Sequence, residues 1–217
     1  MCELSNEKLT FKDYRDLVIQ SGMQAIPYVG GSLSTLYFGF KQEKRFKRLE
    51  SFYLELNEEI ESVKEKIPDI ANQNPEELGA IIEELHDKIE AEHLSIKRDL
   101  YKQYYKQTLL YPVNGNYDER KLYLDILSQL MPLNIRLIIF LSMQSGPVAA
   151  SNIVSKGTEK AVILGAISQL KNYGIIEGKL NNIVFSGIGD NAINEDVSLT
   201  ELGRKFHHFC LNEPIKF

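Results

Sequence analysis

Phe46, Leu49, Tyr53, Leu56, Ile60, Val63 and Ile67 alternate steps of three and four residues, and Pro68 ends the run. Apolar side chains at that spacing form one narrow stripe along an α-helix, the a and d positions of a heptad repeat. Such a stripe has to be covered lengthwise by another helix. The partner follows at once: Asn74-Pro75-Glu76-Glu77 is a helix start, with a capping Asn, Pro at the first helical position and acids in the first turn. The helix it opens carries Leu78, Ile82, Leu85, Ile89, Ile96, Leu100 and Tyr104 on one face and is expected to run to about Tyr111-Pro112. The turn between Pro68 and Asn74 is too short for anything but antiparallel neighbours. The first half therefore reads as a long, coiled-coil-like helical hairpin.

Ahead of the seam, residues 8–26 have a helical period that Pro27 and Gly30-Gly31 interrupt, and helix resumes near Ser32. Behind the hairpin, Val113-Asn114-Gly115-Asn116-Tyr117-Asp118 has the composition of a linker. The expected organisation is a helical domain over 1–112, a linker over 113–118 and a second domain over 119–217.

The second domain has its own pattern. A connecting helix over Glu119–Leu130 precedes an apolar helix over Pro132–Met143, and Pro147–Ser155 and Thr158–Tyr173 read as two further helices, the latter capped by Thr158. Gly174 ends that helix, and strands follow at Ile175–Lys179, Asn182–Ser186 and Asp196–Leu199, before a last helix opened by Thr200. Three helices, a strand–loop–strand wing and a closing helix make a winged helix-turn-helix. The fold class is mainly α with a small β-wing.

A winged helix ordinarily implies DNA, with its third helix in the major groove. Phosphate attraction requires Lys and Arg, however. Net charge is −5 over 217 residues. Residues 1–117 hold 15 Lys/Arg against 20 Asp/Glu, and residues 118–217 hold 10 of each. The third helix exposes Thr158, Glu159, Lys160, Val162 and Ser168-Gln169, and the wing, Ser186 to Asp196, is acidic. Lys156, Lys160 and Lys171 are the candidates for nucleic-acid contact. The balance favours a protein-contacting module over a DNA reader.

The cluster Lys41, Lys44, Arg45, Lys47 and Arg48 follows the apolar, Gly/Pro-interrupted segment Leu17–Phe40. Basic residues beside an apolar stretch are the candidates for contact with an anionic membrane, at about 1 kcal/mol each, or they solvate the outer face of the first long helix. Phe52 lies off the seam and is the candidate for an external apolar contact.

No signal-peptide pattern and no run of eighteen apolar residues is present, and the two cysteines, Cys2 and Cys210, form no CxxC pair. A cytoplasmic location, peripheral to the inner membrane if the basic cluster engages lipid, is expected. His86, Glu90 and His93 share a helix face at a spacing that metal ligands can have, but their place beside the seam favours ordinary surface or seam-edge residues. No nucleophile elbow, phosphate-cradling glycine loop or metal-spaced Cys/His set occurs, so no enzyme and no cofactor is expected.

Ala25-Ile26-Pro27-Tyr28-Val29-Gly30-Gly31, the charged helical middle, Leu127-Ser128-Gln129-Leu130-Met131-Pro132-Leu133, and the ending Leu199-Thr200-Glu201-Leu202-Gly203-Arg204-Lys205-Phe206-His207-His208-Phe209-Cys210 together resemble the abortive-infection alpha type of bacterial protein. The resemblance implies a role in phage defence and a winged-helix-like C-terminal end, and carries over no catalytic residue. The expected function is a non-enzymatic interaction protein with a protein partner or a second copy of itself. A winged-helix transcriptional regulator and a membrane-associating effector using residues 17–48 are the alternatives.

Overall fold

In the computed structural model, residues 40–68, 74–180 and 195–212 are described. The Ala25–Gly31 motif, most of the Leu17–Phe40 segment, the expected strand Asn182–Ser186 and nearly all of the wing lie outside them. The protein is mainly helical with a small three-stranded antiparallel sheet. It divides into two compact units at Leu122/Tyr123. The expected linker is instead a fixed turn of the first unit: Val113 is buried, its carbonyl accepts from the Asn74 N–H at 2.8 Å, and Asn116 bonds both Asn114 N and Pro112 O.

The first unit contains α1 (Phe40–Val63), followed by one 3-10 turn (Lys64–Lys66), then α2 (Pro75–Ala91), α3 (Ser95–Leu110) and the start of α4 (Tyr117–Gln129). The cap of α2 is as the sequence reads: Asn74 Oδ1 accepts from Glu76 N at 3.1 Å and Glu77 N at 3.4 Å, with Pro75 at the first helical position. Arg48 donates to the Glu90 carbonyl at 3.1 Å, and Tyr53 Oη is hydrogen-bonded to His86 Nδ1 at 3.0 Å. Numbers rising on α1 thus meet numbers falling on α2, so the two run antiparallel, as expected.

The second long helix is not one helix. It breaks at Glu92–Leu94, where Glu92 (φ −82°, ψ 129°) and Leu94 (φ −83°, ψ 123°) are extended. The Glu92 carboxylate makes the turn. Its Oε1 accepts from the N–H groups of His93 and Leu94, both at 2.8 Å, and its Oε2 pairs with Lys97 Nζ at 3.0 Å. Burial pushes this carboxyl up, but the Leu94 N–H, Lys97 and the His93 N–H outweigh it and hold it below the usual carboxylate range. The chain then reverses. Ile81 and Leu85 of α2 line a crevice with Leu109 and Tyr105 of α3, and Glu55 and Glu59 of α1 meet Lys102 (2.7 Å) and Lys106 (3.5 Å) of α3. α1 and α3 are therefore parallel, with α2 antiparallel to both, and the expected two-helix hairpin is a three-helix arrangement.

That arrangement explains Phe52. A helix with one neighbour needs only the a/d stripe, whereas α1 has two and needs a broader apolar face. Tyr53, Leu56 and Ile60 of the seam are buried, Val63 and Ile67 are half-buried, and Phe52 is 2% exposed, edge-on to Tyr53 at 5.4 Å.

The second unit contains the rest of α4, α5 (Pro132–Ser142), β1 (Val148–Ala149), a 3-10 turn (Ala150–Asn152), α6 (Lys160–Asn172), β2 (Ile176–Leu180), β3 (Glu195–Leu199) and α7 (Glu201–Cys210). The strand order is β1-β3-β2, with Val148 opposite Val197 and Gly178 also opposite Val197 on the other side. Ile135, Ile138, Ile163, Ile167, Leu170, Val197 and Phe206 fill the core, and Tyr123 meets the Phe206 ring edge-on at 5.7 Å. Asn134, 0% exposed, accepts from Met131 N at 2.9 Å and donates to Ala166 O at 3.3 Å, joining α5 to α6.

The expected helix over Pro147–Ser155 is a two-residue strand and a 3-10 turn. Thr158 does not cap α6 either; its hydroxyl turns back to Ser155 Oγ at 3.3 Å, and the helix begins one residue after Glu159. The Thr200 expectation fares better, since its Oγ1 accepts from Gly203 N at 2.9 Å at the start of α7.

Candidate interaction surface

The exposed side of α6 is set by which residues its neighbours take. Ile163, Ala166, Ile167 and Leu170 face the core, which leaves Ala161, Val162, Gly165 and Ser168 exposed on the opposite side, with Asn172 at its C-terminal end. Ala161, Gly165 and Ser168 are spaced by four and three and share one helix face. Val162, 51% exposed, borders it. None of these four carries charge or a long side chain. Gly165 stands out energetically: a mid-helix glycine costs about 1 kcal/mol relative to alanine, and a Cβ at this position would meet nothing within 4 Å. No packing demand within the described residues calls for it.

The three lysines proposed for nucleic acid are not gathered into a phosphate site. Lys160 donates from Nζ to the carbonyls of Ala150 (2.7 Å), Ser151 (2.7 Å) and Ile153 (3.2 Å). Three donors meet three acceptors, so the ammonium closes the turn before α6 as a main-chain cap. This also explains the missing helix over Pro147–Ser155: Ser151 and Asn152 favour local turns, and the lysine satisfies carbonyls that a helix would have bonded through its own backbone. Lys171 Nζ is 2.6 Å from Oε2 of the buried Glu195, tying α6 to the start of β3. Gly178 lies so close to this pair that a Cβ there would meet the Glu195 carboxylate. Lys156 is exposed, in the turn before α6.

Val154, missed in the sequence, is 84% exposed one residue beyond a carbonyl that Lys160 holds. A helical reading of 147–155 gave it no distinct place; the 3-10 turn puts it outside.

The basic cluster of α1 is also partly committed. Arg48 caps the last turn of α2 through the Glu90 carbonyl, where a cation offsets the helix dipole. Lys47 is exposed, and the side chains of Lys41, Lys44 and Arg45 lie outside the described ones. No described helix is long and apolar enough to cross a membrane. Phe52, the candidate for external contact, is instead a core residue of the first unit. His86 is hydrogen-bonded to Tyr53 and stacked on it at 6.0 Å. Among the described residues no group of three or more His, Cys, Asp or Glu is gathered to hold a metal.

The Leu-Thr-x-Leu-Gly ending has a structural explanation. The Ile175 carbonyl accepts from Thr200 N at 3.0 Å, Thr200 Oγ1 donates to the neighbouring Gly174 carbonyl at 2.5 Å, and a Cβ on Gly203 would collide with the Ile175 oxygen. The motif docks α7 on the turn before β2.

No protein-family model, no curated protein and no solved structure matches the chain.

Proposed function

We propose that the second unit is a winged-helix module used for protein contact, in a bacterial interaction protein of phage defence. Support for the winged-helix reading comes from the element order and from the β1-β3-β2 sheet, in which the strand before α6 pairs with the second strand of the wing. The defence role rests on the family resemblance of the sequence.

The observation that carries the protein-contact reading is the face Ala161, Val162, Gly165 and Ser168. A surface for DNA presents Arg and Lys to phosphate and base edges. This one presents small uncharged groups, while Lys160 and Lys171 are held by Ala150, Ser151, Ile153 and Glu195. Small residues let a partner's backbone approach closely, and a glycine with open space above it fits such an approach.

DNA affinity measured against salt tests the choice. Affinity for duplex DNA is expected to be weak, with a log K against log salt slope near zero. A slope of several units, lowered by Lys156→Glu, would instead make the module a DNA reader.

A further inference from the structure

The break between α2 and α3 has no sequence signal. From Ile89 to Arg98 the chain reads Ile-Glu-Ala-Glu-His-Leu-Ser-Ile-Lys-Arg, without Gly or Pro and built of residues that helices accept. The apolar stripe keeps its phase through the break: at about 100° per residue, Ile89 and Ile96 would lie within about 20° of each other on a continuous helix. Glu92 and Leu94 leave helical geometry in ψ alone, their φ of −82° and −83° being already negative. The turn is held by the Glu92 carboxylate, on His93 N, Leu94 N and Lys97, and by Arg98 donating to the His93 carbonyl at 3.1 Å.

We propose that the Glu92–Leu94 turn is a domain-swapping hinge, which opens to join α2 and α3 into one helix over Pro75–Leu110 and lets α3 of one copy pack against α1 and α2 of a second. The occupant is a second copy because the groove between α1 and α2 is complementary to α3 itself. Glu55 and Glu59 would meet the partner's Lys102 and Lys106, and Glu84, 2.9 Å from Lys121, would likewise pair across copies. Every bundle contact is kept in the exchange; only the turn differs. That is why swapping is a low-cost route to dimers. The continuous helix gains the backbone bonds missing at 92–94, and the closed turn gains those of Glu92.

Two substitutions act in opposite directions. Glu92→Ala removes the carboxylate that makes the turn and inserts the best helix former. Ser95→Pro is compatible with the closed turn, because Ser95 is the first residue of α3 and the residue before it is already extended. In a continuous helix the same proline would clash with the Ala91 carbonyl. The test mixes isotope-labelled and unlabelled full-length chains, anneals them through partial unfolding in urea, and crosslinks Glu55 to Lys102 with a zero-length carbodiimide. Mixed-isotope peptides report exchange between copies.

Glu92→Ala is expected to raise the mixed-isotope yield at least tenfold over the unannealed protein. Ser95→Pro alone, or added to Glu92→Ala, is expected to abolish it. A folded Glu92→Ala protein with only same-chain crosslinks would overturn the proposal, as would exchange that survives Ser95→Pro. Should Glu92→Ala not refold, the unsubstituted chain and Ser95→Pro decide it: exchange in the first and none in the second supports the hinge, and equal yields refute it.

Discussion

Replacing Lys160 by methionine separates a structural lysine from a phosphate-binding one. Methionine keeps the aliphatic stem and removes the ammonium, so only the bonds to Ala150, Ser151 and Ile153 are lost. Hydrogen bonds from a charged donor are worth about 1.5–3 kcal/mol when shielded, and near zero when water can replace them. The Ser151 bond is exposed and contributes little, whereas Ala150 and Ile153 are buried residues whose carbonyls are partly shielded. Discounting those two to about 1 kcal/mol each puts the loss near 2 kcal/mol. For a unit of this size that corresponds to roughly 8–16 °C in melting temperature, if it unfolds cooperatively on its own. Urea and thermal unfolding followed by circular dichroism measures it, with Lys156→Met as the control, which is expected to stay within about 0.5 kcal/mol. Hydrogen exchange should quicken first in residues 150–157. A Lys160→Met protein as stable as the unsubstituted chain, but weaker on DNA, would refute the reasoning and return Lys160 to the nucleic-acid reading.

Other outcomes follow from the same geometry. Gly203→Ala forces α7 off the Ile175 carbonyl and is expected to destabilise by about 2–3 kcal/mol, lowering the urea midpoint. Phe52→Ala is expected to lower stability by about 3–5 kcal/mol, whereas a surface contact residue would change it by less than about 0.5 kcal/mol. His207 is held below its ordinary value of 6.5 by burial and then by the neighbouring His208. Its folded form thus resists protonation, so stability is full above the ordinary value of 6.5 and falls as pH drops below it towards the lowered folded value; His207→Gln should remove that loss below about pH 6.5 in pH-dependent urea unfolding.

What the sequence disclosed, and what it hid, follows from the range of the interactions. Asn74-Pro75 and Thr200 act on their own helix within three residues, and both starts were legible. The stripe Tyr53, Leu56 and Ile60 was legible because periodicity reports burial. The Glu92 turn was not: glutamate is an ordinary helix residue, and its capping of two N–H groups depends on a chain reversal that packing with α1 enforces. Phe52 was misread because the seam reports one neighbour and α1 has two. Lys160 and Lys171 looked like surface cations because their acceptors, Ala150 to Ile153 and Glu195, are brought to them only by the fold. Of the α6 face, Val162 and Ser168 were legible as exposed, whereas Ala161 and Gly165 were not, because small apolar residues on a helix look the same in a sequence whether buried or exposed.

Protein docking and DNA reading make opposite demands on the exposed face of α6. A photo-crosslinking amino acid placed at Val162 in the intact chain, activated in cells, reports what that face touches. A discrete adduct is expected that protease destroys and nuclease leaves, and that Gly165→Gln removes while the fold, with open space at that position, is unchanged. A nuclease-sensitive adduct, or a protein adduct indifferent to Gly165→Gln, would contradict the claim that α6 docks a protein.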